Sequence, residues 1–362
     1  MNIAKLSFGQ VFTLVLSGTI LSAVVLNLAN YEVPAGLMLA IGLELVIGLS
    51  VFAYLNNSVI YCLKRIVEAF ITLLVIATFT FALLRLMPGG PFDEEKALPP
   101  EIKANIEKKY GLDKPPLTQY LNYLKGVATL EFGESYKYIG RSVGDIISES
   151  FPASFVLGLY AFVLSFVIGI PLGLFAASRH NTFWDNLAMG VSISGVALPN
   201  FLIGSVLIII FSYWLKVLPP ALWDSPIYYV LPVVTLGVRP AAFIARLTRS
   251  SVLDVIGSDY IRTAKSKGLS NFTVLYKHVL KNSLIPVLTY SGPLLAGILS
   301  GSFVIEILFA VPGIGKHLVQ SVSNRDYPLI LGLTLLYSVL LVVSNLIVDL
   351  LYSFFDPRIS LA

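Results

Sequence analysis

PASFVLGLYAFVLSFVIGIPLGLFA (152–176) fixes the solvent in which this chain folds, because it holds no Asp, Glu, Lys, Arg or His. At 1.5 Å rise per residue such a run makes a helix of about 38 Å, longer than the ~30 Å hydrocarbon core of a bilayer. The whole chain agrees with it. Of 362 residues, 56% are apolar and 13% charged, with a mean hydropathy of +0.82. A soluble domain carries about a quarter charged residues. So little charge cannot cover a water-facing surface, which excludes an ordinary cytosolic enzyme, a disordered chain and a nucleic-acid binder. Backbone facing lipid must satisfy its own hydrogen bonds, and the strand-like alternation of a barrel is absent. The expected fold is an all-α, polytopic membrane helix bundle.

Seven further apolar windows flank that run: 11–29, 35–55, 66–86, 187–214, 228–247, 286–309 and 329–352. Eight spans are expected in all. The 228–247 window is the weakest, since Pro232, Arg239, Pro240 and Arg246 interrupt it. Lys5 precedes the first window as in a signal peptide, but the apolar run is long and no clean A-x-A site follows, so it is read as an uncleaved span. Loop charge gives the orientation. With the N-terminus inside, Lys5, Lys64, Arg65, Arg179, Arg246, Arg249, Arg262, Lys265, Lys267, Lys277, Lys281 and Arg358 are cytoplasmic. The short outer loops then hold only Lys216, Lys316 and Arg325. Both termini are expected inside, and residues 30–34, with Glu32, outside.

Two hydrophilic segments stand apart. The outer one, 87–151, opens with the breaker MPGGP (87–91). Pro100 can start a short helix there and Gly111 can stop it, and an amphipathic, aromatic stretch follows at 113–136. The segment reads as a small cap on the membrane. The inner one, 248–285, is basic and helical in pattern, and Gly268 near its middle can adopt φ > 0. Two short helices about Gly268 make a lever that projects from the membrane. A patch for anionic lipid is an equally good reading of the residues alone.

Catalytic and metal patterns fail. Cys62 is the single cysteine, and His180, His278 and His317 lie far apart with no HxxxH or HExxH spacing. No metal, cofactor or covalent chemistry is expected. GIGKH (313–317) is not a phosphate loop, because Ala310 stands for the first glycine and His317 for the Ser/Thr. Glu68, Arg85, Glu306 and Asp349 lie near helix ends, where they can reach the interface. Glu44 sits near the middle of its window, read as structural. Arg239 sits near the bilayer centre, where a charge marks either a pathway or a buried pair. Gly169/Gly173 and Gly297/Gly301 have the spacing of close helix contacts. Pro199 and Asn200 interrupt the fifth window.

The inner segment contains DYIRTAKSKGLS (259–270) followed by KHVLKNSLIPVL (277–288). It resembles the cytoplasmic loop of permease subunits of binding-protein-dependent ABC importers, in which Glu-Ala-Ala, three residues and Gly recur. Here Arg262, Thr263 and Ala264 stand in the first places and Gly268 in the last; the Glu is absent. The Arg-Thr-Ala form is similar to the oligopeptide/dipeptide branch. So are LLRLMPGGPF (83–92), FPASFVLGL (151–159), IPLGLFAA (170–177), VALPNFLIG (196–204), ARLTRSS (245–251), FAVPGIGKHL (309–318), NRDYPLI (324–330) and VDLLYSFFDPRI (348–359). The resemblance covers about 60–359, giving a permease domain over 58–362 and two additional helices in 1–57.

The resemblance implies a type I importer permease in a bacterial inner membrane. It pairs with a second, homologous permease and two ATP-hydrolysing subunits, while an external solute-binding protein delivers the substrate. Peptides are the implied substrate, although the same branch includes nickel, glutathione and some sugar systems. The chain itself is then not an enzyme. Tyr260, Arg262, Thr263, Ala264, Lys265, Lys267 and Gly268 are expected at the contact with an ATPase subunit, and Pro199, Asn200 and Arg239 along the translocation path. An ion-driven secondary transporter would need an internal repeat and midplane acids, and neither is seen. A non-transporting scaffold or an intramembrane enzyme is the remaining rival; no nucleophile–base pair supports the latter.

Overall fold

The computed structural model describes residues 59–87, 89–92 and 100–355. The windows at 11–29 and 35–55, with Glu32, Glu44 and the proposed 1–57 segment, lie outside these residues. Among the described residues four helices are long and apolar enough to cross a membrane, or up to six if two bent pairs each count as one span.

Helix α1 (Val59–Leu86) turns most of its surface outward, Phe70 and Phe79 included. A 36-residue helix, α4 (Val143–Ser178), contains the quoted run. It starts nine residues before that run because Ser142 and Asp145 form a capping box. The Asp145 amide donates to Ser142 Oγ at 3.0 Å, and the Ser142 amide to Asp145 Oδ2 at 3.2 Å.

The 187–214 window is not one straight helix. It splits into α5 (Phe183–Ala197) and α6 (Asn200–Leu207, continuing as π-helical turns to Trp214), which meet at 107°. Pro199 has no amide to donate and forces Leu198 into extended backbone, so the first helix ends there. The weakest window proves continuous. A tight turn at Pro226–Tyr229 leads into α7 (Val230–Ile256), which runs nine residues past the expected end. Pro232 falls in the first turn of α7, where its missing amide costs nothing, and Pro240 is accommodated within the helix. The 286–309 window needs the opposite correction. Helix α10 (Ile285–Leu299) ends at Ser300 and Gly301, whose φ is +88°, and α11 (Phe303–Leu308) is a separate short helix. Helix α12 (Gly315–Ser323) and the long α13 (Tyr327–Phe355) complete the bundle.

Helices α4 and α7 form the most intimate pair. A Cβ on Gly169 would lie 2.7 Å from the Ala241 carbonyl oxygen, and one on Gly173 2.4 Å from that of Ala245. Glycine is what lets these backbones touch, as the small-xxx-small spacing predicts. Gly297/Gly301 do not act this way. Gly297 faces open space and Gly301 lies beyond the helix end. Around the α4–α7 contact, Leu157, Ala161, Ile244, Val287, Ile298, Ile305 and Phe309 make the main core.

The cap consists of α2 (Pro100–Lys109), α3 (Pro116–Thr129) and the loop to Ser142. Gly111 has φ +66°, so the expected stop lies where the chain leaves α2. Buried Asp326, just before α13, ties the cap down. It accepts from the Ser135 hydroxyl and from the Tyr136 amide at 3.1 Å. The segment 257–283 packs at the other end of α4, about 54 Å away by helix rise over its 36 residues. Cap and inner segment thus occupy opposite ends of the bundle.

Candidate functional site

Helix α8 (Asp259–Ser266) opens the inner segment, Gly268 turns it at φ +79°, and a return helix α9 follows over 271–283. This is the helix–Gly–helix lever expected from the sequence. The Gly268 amide donates to the Lys265 carbonyl at 2.9 Å and closes α8. Ile261 and Ala264 point inward and pack with Leu174, Ala177, Val252 and Val274. Ala264, expected at a partner contact, is only 7% exposed; its small side chain instead seats α8 on the ends of α4 and α7. Tyr260, Arg262, Thr263, Lys265, Lys267 and Gly268 are exposed. Tyr260 Oη accepts from Asn282 Nδ2 at 2.8 Å, which braces α8 against α9. Leu269, Phe272 and Tyr276 are also exposed beside the turn, and the rings of Phe272 and Tyr276 meet at a tilt of 34° with centroids 4.3 Å apart. The sequence reading passed over these three, although exposed aromatics in a basic segment were legible there.

A buried ion pair ties α5 to α7 about two turns before the lever begins. Arg249 of α7 donates from Nε and Nη2 to the two carboxylate oxygens of Asp185, both at 2.6 Å. The Asn181 amide adds a bond to Asp185 at 3.0 Å. Asp185→Ala should cost about 1–3 kcal/mol, less than for a fully buried pair because the Arg249 side chain keeps 24% exposure. Thermal unfolding of the purified protein measures this, and an unchanged midpoint would contradict it.

Of the expected path residues, Pro199 and Asn200 sit at the α5–α6 bend, and Asn200 Oδ1 is buried with no hydrogen-bond donor. Across the same interface Gly195 faces Val238 and Ala242, and Gly204 faces Thr235. The bend therefore lies level with the stretch of α7 just before Arg239. Arg239 itself is exposed, on a different face of α7 from the one that packs on α4.

Glu306 differs from the sequence reading. It does not reach the interface: it is 1% exposed and accepts from Ser154 Oγ at 2.7 Å, the Gly315 amide at 2.8 Å and the Ser302 amide at 3.2 Å. The Ile314 amide donates to Ser154 Oγ at 2.8 Å. The glycine-rich 313–317 loop thus wraps an internal carboxylate, and these amides are spent within the chain. Next to it, burial together with Lys316 and Arg141 pushes the His317 imidazole down to about 4, so it stays neutral. Among the described residues no three His, Cys, Asp or Glu side chains converge as metal ligands would.

The chain as a whole is similar to known proteins. Residues 59–158 match the N-terminal part of the binding-protein-dependent transport system membrane component, and residues 169–361 match the binding-protein-dependent transport system inner membrane component. The chain is 48% identical to the dipeptide transport system permease protein DppB of Bacillus subtilis (strain 168), over 301 residues, 83% of this chain and 98% of that one. It is 44% identical, with the same coverage of both chains, to the oligopeptide transport system permease proteins OppB of Haemophilus influenzae and Salmonella typhimurium. With a family match across both the cap-bearing and lever-bearing halves, and an apolar bundle to carry them, the chain belongs to the multi-pass inner-membrane permease components of binding-protein-dependent ABC transport systems.

Proposed function

We propose that this chain is one of two permease subunits through which an ATP-driven importer moves dipeptides or oligopeptides across the inner membrane by alternating access. The observation that carries the reading is the 44–48% identity to named dipeptide and oligopeptide permeases over 98% of their length. The cap faces outward, toward a solute-binding protein. Both termini and the 257–283 segment face the cytoplasm, in line with the loop charges. A homologous permease completes the path and two ATPase subunits supply the energy; bilayer lipid is the remaining partner. The test is uptake of labelled di- and oligopeptides in cells with and without the gene. Equal uptake in both, with the other components expressed, would overturn the reading.

Tyr260, Arg262, Thr263, Lys265, Lys267 and Gly268 form the surface that meets an ATPase subunit, with Ala264 holding that surface in place. Support comes from their exposure and from the continuity of α8, through Ile261 and Ala264, with the ends of α4 and α7. Motion at α8 must then reach the two most tightly packed helices. Gly268→Val puts a β-branched residue at φ +79°, where left-handed geometry costs roughly 1–2 kcal/mol, although nothing lies near the added Cβ. The expected result is an assembled complex that hydrolyses ATP and transports poorly, or one that sheds its ATPases. Normal transport by this variant, with no crosslink from cysteines at 260–268 to the ATPase, would favour the lipid-patch reading.

A further inference from the structure

Helix α7 handles three arginines in two different ways. Arg249 is held bidentately by Asp185. Arg239 and Arg246 have no carboxylate within ion-pair distance among the described residues. Arg246 Nε is sealed from solvent and donates to nothing. An arginine placed for architecture alone is paired, as Arg249 shows on the same helix. A guanidinium within the bilayer, as at Arg239, is costly unless water or an anion meets it, and Arg246 lies two turns nearer the cytoplasmic end of the same helix.

The two unpaired arginines share one stripe of α7. Arg239, Phe243 and Arg246 are spaced i, i+4 and i+7, and seven residues rise about 10 Å. The opposite face, with Ala241, Ile244, Ala245 and Thr248, is buried. Between the arginines lies an aromatic shelf. Phe243 packs on Tyr290 of α10 with ring centroids 4.4 Å apart. The Arg246 guanidinium carbon sits 5.8 Å from the Phe243 ring centroid, and Arg239 lies one turn before Phe243 on the same stripe.

Arginine's planar fork matches a carboxylate through two parallel hydrogen bonds. The one carboxylate that a free-ended peptide carries whatever its side chains is its C-terminal group. Two such stations in series allow the anion to leave the first for the second, while the shelf accepts varied side chains by apolar contact. We propose that Arg239 and Arg246 form a two-step track for the C-terminal carboxylate of the translocated peptide, with Phe243 and Tyr290 as the surface between the steps. This rests on the peptide-permease reading above.

The test uses the complete transporter with its binding protein in proteoliposomes. Uptake of one tripeptide is compared with uptake of its C-terminal amide, each saturating the binding protein. The readout is the acid-to-amide ratio of uptake rates for the unaltered protein, Arg239→Gln, Arg246→Gln and Arg239→Lys, at equal amounts of assembled complex. Each Gln variant should lower that ratio roughly tenfold, the size of a lost charge-assisted hydrogen bond. Arg239→Lys should fall between, since it keeps the charge and loses the fork. An unchanged ratio in both Gln variants would overturn the track. So would loss of assembled complex in both, which would show that the arginines serve assembly instead. If the unaltered transporter moves neither tripeptide nor amide while it hydrolyses ATP, the peptide reading itself falls, and that result is distinct from both others.

Discussion

Glu306→Ala is expected to unfold the outer half of the bundle. The carboxylate is fully enclosed, and Ser154 Oγ and the amides of Gly315 and Ser302 all bond to it. Truncation strands those donors in a closed space, at about 1–3 kcal/mol for each unsatisfied group. Even with partial relaxation a loss of about 3–5 kcal/mol follows, among the largest that single substitutions produce. The loop packs directly on this carboxylate, and its glycines have no room for side chains while Glu306 is present. A Cβ at Gly313 would lie 2.4 Å from the Glu306 carboxyl carbon and one at Gly315 2.8 Å from the Phe303 amide nitrogen. Glu306→Gln is the informative control: its amide oxygen can accept, but its NH2 must face donors, so it should fall between. Thermal unfolding in detergent and the yield of assembled complex measure the effect. A wild-type midpoint for Glu306→Ala would sink the clamp.

Gly173→Val should be nearly as damaging, through a different mechanism. The new Cβ would sit 2.4 Å from the Ala245 carbonyl oxygen and 2.7 Å from Thr248 Cβ. Neither is the end of a flexible side chain, so α4 and α7 must separate. Overpacking ordinarily costs about 1–3 kcal/mol, and a backbone clash belongs at the upper end of that range. The same separation would loosen the seat of α8, because Leu174 and Ala177 beside it pack on Ile261 and Ala264. Gly297→Val on α10 provides the comparison, since nothing lies within 4 Å of its added Cβ. The expected outcome is a clear fall in thermal midpoint and transport for Gly173→Val, with Gly297→Val close to the unaltered protein. Equal stability of the two variants would refute the close approach of α4 and α7.

The contrast between these two glycines marks how far the sequence could be read. Both belong to a small-xxx-small pair within an apolar window. One pair is buried against a neighbouring backbone. The other loses its second member to a helix end at Gly301. Spacing records which residues share a helix face, but the helix must exist over the full spacing, and a partner must lie against it. The lever was legible for the converse reason. A basic segment around a glycine with φ > 0 depends on local chemistry alone, and α8, Gly268 and α9 follow it closely. Ala264 is where that reading stops, because an alanine reads alike whether it faces a partner or the chain's own core, and here it packs within the chain.

The sequence by itself determined the solvent and the class. An uncharged 25-residue run has no place in water, and the motifs and their order point to one family. It also determined the breaks, because proline acts locally: Pro199 ends α5 wherever that helix lies. Tertiary structure alone decided which charges are paired. Asp185 meets Arg249 across 64 residues, and Glu306 meets Ser154 across 152. Arg239 and Arg246 meet no acid among the described residues, though they look like Arg249 in the sequence. Whether a cation on a helix is anchored or left open depends on what the fold brings within about 4 Å of it, where charge–charge attraction and hydrogen bonding become strong. No periodicity along one chain encodes that distance.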